Sequence, residues 1–234
     1  MKHNINSCFV DNVIKKDLFK YSLKKINFII DQIKKSKEPL LLSFLNQFNN
    51  YQKEDLNKLG SYYQKNFKDV IILGTGGSSK AGRTFVQIAY RTFGRSPKFP
   101  KITFLENIDF QDFNDLFKKI NLKKTGIIVI SKSGETNETL VQFLVFLSKY
   151  KTNFKKKEIQ KHFTVITKKE SNSLRNLAKD SSINILDIDN NLSGRFSAFS
   201  PVGLLPAAIS GLNIKKITEG AVSILNKSLK KKQK

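Results

Sequence analysis

Two clusters of glycine, hydroxyl and lysine residues carry the chemistry legible in this chain, and both are suited to holding an anion. Gly74-Thr75-Gly76-Gly77-Ser78-Ser79 follows at once on the apolar run Val70-Ile71-Ile72-Leu73 and precedes a helix-like Lys80–Tyr90. About 55 residues on, Ser131-Lys132-Ser133-Gly134-Glu135-Thr136 follows Gly126-Ile127-Ile128-Val129-Ile130 and precedes a helix-like Asn137–Tyr150. In each case a β-branched run ends in small residues just where a helix begins. Unpaired N–H groups and the positive end of the helix dipole favour phosphate at such a place. Gly77 and Ser78 lead the first cluster into its helix. Ser131, Ser133 and Thr136 give the second cluster three hydroxyls, more than one N-cap needs, and Lys132 adds a charge.

Each cluster also has a plainer reading. The first would serve as a tight strand-to-helix turn using glycine for positive φ. Its spacing, Gly74-x-Gly76-x-x-Ser79, lacks the last glycine of the dinucleotide fingerprint, although Glu106 ends the next strand about where a ribose-binding carboxylate would lie. A Walker A loop is excluded, because no Gly-Lys-Ser/Thr follows. In the second cluster Ser133 or Thr136 would serve as a helix cap. Glu135 and Glu138 sit uneasily beside a phosphate. Glu138 falls in the first helical turn, free to orient Lys132 or a loop N–H or to contact ligand hydroxyls.

The elements that must position these loops alternate along the chain. Strands are expected at Val70–Leu73, Lys101–Leu105, Gly126–Ile130, Phe163–Thr167 and Ile183–Leu186, with helices near 80–93, 110–119, 136–150 and 171–180 between them. Such alternation predicts an α/β fold with a five-stranded, mostly parallel sheet covered on both faces. Its ligands would bind at the carboxyl ends of the strands. Ahead of it, residues 11–37 form an amphipathic helix with Leu18, Ile26, Ile29 and Ile33 on one face, and Leu40–Phe48 and Lys53–Asn66 supply further helical pieces. These N-terminal helices are expected to pack at one side of the sheet. The expected division is a helical segment over 1–66, a sheet domain over 67–222 and a basic tail over 223–234.

Composition narrows the classes. At 234 residues the chain is long enough for a sizeable core. No apolar run reaches the length of a membrane span, and the N-terminus lacks a signal core, so a cytoplasmic protein is expected. Cys8 is the only cysteine and His3 and His162 the only histidines, so neither an internal disulfide nor a His/Cys metal site is expected. No cofactor is called for. The net charge of +23 invites a nucleic-acid reading. Its lysines, however, are spread through the whole chain among Asn, Ile and Phe. The densest runs, Lys155-Lys156-Lys157 and Lys230-Lys231-Lys232, suit a solvated surface better than a nucleic-acid stripe.

A third segment joins the two clusters. Residues 193–206 read Ser193-Gly194-Arg195-Phe196-Ser197-Ala198-Phe199-Ser200-Pro201-Val202-Gly203-Leu204-Leu205-Pro206. On its own this is a loop feeding a core helix, with Arg195 at the surface. Taken with Gly76-Gly77-Ser78 and Ser131–Thr139, it resembles the glucose-6-phosphate isomerase family, within the wider group of sugar-isomerase (SIS) domains. The likeness runs from roughly residue 40 to 222. It implies a three-layer SIS-type α/β domain and interconversion of glucose 6-phosphate and fructose 6-phosphate through a cis-enediol(ate), a step of glycolysis and gluconeogenesis. It also implies a homodimer in the full-length enzyme. By motif, Gly77 and Ser78 would touch the sugar phosphate, Ser131, Lys132, Ser133 and Thr136 would cradle it, and Arg195 would steady the anionic intermediate. The family's Gly-Gly-Arg is here Ser193-Gly194-Arg195, which alters the turn and keeps the Arg.

That reaction needs a base and a cation beside the developing oxyanion. Arg195 supplies the cation. Glu106 and Asp187 end strands and are conceivable bases, but no motif marks them, and His162 precedes a strand, where it is more often structural. In the family the catalytic Glu, a ring-opening His and a Lys lie in later sequence. The resemblance therefore implies that these residues are an N-terminal portion, weak or inactive alone. A non-catalytic SIS module that senses a sugar phosphate is the alternative. A DNA-binding helix-turn-helix would support it, and none is evident in residues 1–66.

Overall fold

The computed structural model describes residues 15–48, 53–90, 94 and 96–230. Three N-terminal helices come first: α1 (Lys16–Lys35), α2 (Pro39–Asn46) and α3 (Lys53–Asn66). The apolar runs then become five strands, β1 (Asp69–Leu73), β2 (Lys101–Leu105), β3 (Thr125–Ile130), β4 (Phe163–Lys168) and β5 (Asn184–Ile188). They pair in the order β2-β1-β3-β4-β5, and every pairing is parallel. All six residues of β3 are buried, as expected of a central parallel strand covered on both sides.

Side-chain alternation along the strands feeds two separate cores. Val70, Ile72, Ile128, Ile130 and Ile166 face one side. They meet α3, α4 (Gly77–Tyr90), α9 (Pro201–Ile209) and the start of α10 (Ile214–Lys230). Ile71, Leu73, Ile127, Val129 and Val165 face the other. They meet α5 (Phe110–Lys119), α6 (Asn137–Lys151), α7 (Lys156–His162) and α8 (Ser173–Asp180). The result is a three-layer α/β sandwich.

All nine residues of α9 are buried. Its neighbours approach it at glycines: a Cβ on Gly60 of α3 would lie 2.8 Å from Ala208 Cβ, and one on Gly82 of α4 would lie 2.9 Å from Pro206 Cγ. Two expectations need correcting. α1 is helical but none of its described side chains is buried, and Leu18, Ile26 and Ile29 of its apolar stripe are exposed, with Ile33 half-buried, so most of that stripe is not covered by the sheet domain. The basic stretch from 223 continues α10 as far as Lys230 and is helical there. Residues 11–14 of the expected first helix, with His3 and Cys8, lie outside the described residues. No helix among the described residues is long and apolar enough to cross a membrane.

Candidate active site

β1 and β3 are hydrogen-bonded neighbours, with Leu73 opposite Val129. The chain leaves β1 toward the helix layer of α4 and leaves β3 toward that of α5, α6 and α8. This is the switch point of the sheet, where α/β proteins open a crevice at the strand carboxyl ends. Both glycine-hydroxyl loops lie there. Gly74 packs so closely that an added Cβ would sit 2.7 Å from the Ile130 carbonyl oxygen.

In the first loop Gly76 adopts φ +57°, which turns the chain into α4. The Ser78 amide bonds Thr75 O, and the Ser79 and Lys80 amides both bond Gly76 O. The amides of Thr75, Gly76 and Gly77 find no acceptor among the described residues. Three N–H donors at a helix start are therefore open to an anion.

In the second loop the hydroxyls form one connected cluster. Ser131 Oγ, buried, donates to Thr136 Oγ1 at 3.1 Å and accepts from the Gly134 amide at 3.1 Å. Ser133 Oγ lies 3.4 Å from Thr136 Oγ1 and accepts from the Glu135 amide at 3.2 Å. Thr136 occupies the N-cap position of α6, yet its side chain makes no capping bond. The Thr136, Asn137 and Glu138 amides find no acceptor among the described residues. Lys132 is half-buried and forms no ion pair among the described residues.

Gly134, at φ +69°, presses against the Asn172 side chain, which caps α8 by accepting from the Arg175 amide at 2.9 Å. Glu135 does not point its charge at the loop. Its carboxylate accepts from the Ser173 amide at 2.8 Å and the Ser173 hydroxyl at 2.7 Å, and these bonds hold its pKa below the usual carboxylate value. Glu138 is exposed.

The third segment reaches the first loop through its backbone. A Cβ on Gly77 would lie 2.8 Å from the Gly194 carbonyl carbon and 3.0 Å from the Arg195 nitrogen. Gly194–Phe196 form a 3-10 turn, closed by Ser197 Oγ donating to Gly194 O at 2.7 Å. Ser200 then caps α9, its Oγ accepting from the Val202 amide at 3.3 Å. Arg195 is exposed and forms no hydrogen bond or ion pair with the described residues. Gly77, Ser78 and Arg195 thus meet across one backbone contact, while Ser131, Lys132, Ser133 and Thr136 lie on the next strand's loop.

The conceivable bases are already engaged. Ser79 Oγ donates to Glu106 Oε1, and Arg83 Nη2 lies 3.3 Å from Glu106 Oε2. Asp187 is paired with Arg175. His162 is buried against Phe67, Tyr150 and Phe154, its Nδ1 2.8 Å from Thr125 O at the opposite end of β3. Burial pushes its pKa down. The Glu106–Ser79 and Glu135–Ser173 bonds join residues far apart in the chain, and only the position of Glu106 at a strand end hinted at either.

A parallel sheet carrying two open helix N-termini at its switch point defines a doubly wound α/β protein with a crevice suited to an anion. The model of the phosphoglucose isomerase family matches residues 42–232, and the chain belongs to that family. It is 34% identical over 162 residues to a probable glucose-6-phosphate isomerase of Methanococcus maripaludis, covering 69% of this chain and 36% of that protein. It is 37% identical over 177 residues to the glucose-6-phosphate isomerase of Carboxydothermus hydrogenoformans, covering 71% and 37%. The crystal structure of a glucose-6-phosphate isomerase from Chlamydia trachomatis shares the fold, with a TM-score of 0.72 at 21% identity, over 93% of this chain and 47% of that one. The match therefore spans well under half the length of these curated relatives.

Proposed function

We propose that this chain supplies the phosphate-holding part of a glucose-6-phosphate isomerase, which interconverts glucose 6-phosphate and fructose 6-phosphate. The observation that carries the reading is the pair of open helix N-termini on adjacent strands, with Lys132 and Arg195 beside them, unpaired among the described residues. In this reading the sugar phosphate accepts from the Gly77 and Ser78 region on one side and from Ser131, Ser133 and Thr136 on the other. Lys132 offsets its charge. Arg195 faces the reacting carbons and stabilises negative charge as the proton moves between C2 and C1. Glu106, Glu135, Asp187 and His162 are held by protein partners. The base is accordingly assigned to sequence outside these residues, in a homodimeric cytoplasmic enzyme whose first SIS domain spans about 67–222.

The test is a titration and a turnover assay on the 234 residues. Fructose 6-phosphate should bind, and isomerisation should run about 10²–10⁴ slower than in a full-length relative, the usual effect of losing a positioned base. Absence of binding would defeat the reading. Full turnover would place the base within these residues, with Glu138 the first to replace.

A further inference from the structure

The two phosphate-facing loops are joined behind the site through the end of β2. Leu105 O accepts from the Gly74 amide of the first loop at 3.4 Å and from Gln142 Nε2 of α6, the second loop's helix, at 3.2 Å. Gln142 Nε2 also donates to Asn107 O at 3.0 Å, and the side chain is fully buried. Gln142 therefore grips the carbonyls on either side of Glu106. The Glu106 carboxylate reaches the other way, accepting from Ser79 Oγ in the first turn of α4 and pairing with Arg83. Ser79 is fully buried. Arg83 is fixed in turn over the Phe104 ring, 5.4 Å from its centroid. A bond from a hydroxyl to a carboxylate is among the stronger hydrogen bonds, and Gln142 Nε2 is held by two carbonyl acceptors, although its Oε1 finds no donor among the described residues.

We propose that Glu106 and Gln142 are positioning residues that fix the spacing of the two loops, so that one phosphate is gripped by both helix N-termini at once. The proposal deepens the reading above and rests on it for the ligand. Neither side chain touches the ligand. A ligand held from two sides is sensitive to the separation of those sides, and small displacements are costly when donors must converge.

The test compares Glu106→Ala, Glu106→Gln and Gln142→Leu in the full chain. Glu106→Ala should weaken fructose 6-phosphate binding about tenfold, the factor that 1.4 kcal/mol carries. Glu106→Gln keeps an acceptor for Ser79 and should recover most of it. Hydrogen exchange supplies a readout that needs no ligand. Gln142→Leu should speed exchange of the hydrogen-bonded Ser78 and Ser79 amides, which Gln142 does not touch, and Glu106→Ala should do the same at the Ser131 and Gly134 amides. Changes confined to the substituted side, or native affinity in Glu106→Ala, would overturn the proposal. If Glu106→Ala does not fold, Ser79→Ala breaks the same bond from its other end, and native-like loop exchange there would overturn it equally. A native chain that binds no sugar phosphate would defeat the functional reading alone, and the exchange data would still decide the coupling.

Discussion

Replacing Gly77 by alanine tests the site where it is tightest. The new methyl carbon would lie 2.8 Å from the Gly194 carbonyl carbon, 3.0 Å from the Arg195 nitrogen and 3.1 Å from the Gly194 oxygen. All three are backbone atoms, so no side chain can swing aside. Restoring an ordinary contact moves the Arg195 turn away from the first loop by about 0.6 Å. Overpacking of this kind costs about 1–3 kcal/mol. Gly77 is the first residue of α4, where alanine's advantage in a helix interior does not offset this cost. Each kcal/mol lost should lower the melting temperature by ~2–4 °C in a chain of this size. Binding should suffer more than stability. If the shift detaches one charge-assisted hydrogen bond, ~1.5–3 kcal/mol is lost, a drop of roughly 10–100-fold in affinity. Calorimetric titration with fructose 6-phosphate, paired with a thermal melt, measures both. Affinity within twofold of native, with an unchanged melting temperature, would refute the close approach of the two segments.

Ser133→Ala combined with Thr136→Ala should weaken sugar-phosphate binding by about 1.5–3 kcal/mol for each bond lost, and unchanged calorimetric affinity would remove these hydroxyls from the site. Gly220→Ala, in exposed α10 where an added Cβ meets nothing within 4 Å, should raise stability by about 0.5–1 kcal/mol in a urea melt. His162 has a folded pKa below its ordinary 6.5 because burial disfavours the imidazolium. Its contribution is therefore fully present above about pH 6.5 and is lost as the pH falls, since the unfolded chain takes the proton first. The urea midpoint should drop as the pH falls below about 6.5, and His162→Gln should flatten that slope.

The strands were legible because a parallel sheet buried on both faces demands short, unbroken β-branched runs, and Val70–Leu73 and Gly126–Ile130 are such runs. Each observed strand lies within two residues of its expected bounds. α7 was missed because Lys-Lys-Glu-Ile-Gln-Lys-His shows no apolar period; it buries only Ile159 and His162. Its basic start reads as solvated surface, yet Glu158 closes the first turn by accepting from the Lys155 amide at 2.9 Å. The glycines and hydroxyls of the loops were legible in composition as a place suited to an anion, but the duties of their carboxylates did not show. Glu135 is taken by Ser173, 38 residues on, and Glu106 by Ser79, 27 residues back. Local sequence carries no trace of such pairings. The apolar stripe of α1 was also legible, but a stripe specifies only that a face is greasy and not what will cover it.

The wholly buried α9 bears on how the chain is made. It fills the gap between α3 and α4 but begins about 110 residues after α4 ends and about 135 after α3 ends. At a synthesis rate of about 5–20 residues per second, the helices it covers wait roughly 6–30 s after emerging before it follows. For that interval Leu56, Tyr63 and Val86 have no final partner on that side. The sheet can pair its first strands during synthesis, but this core closes only on release of its last segment. A ribosome pausing before residue 209 would display a sticky, half-finished surface, and demand for a holding chaperone should peak there.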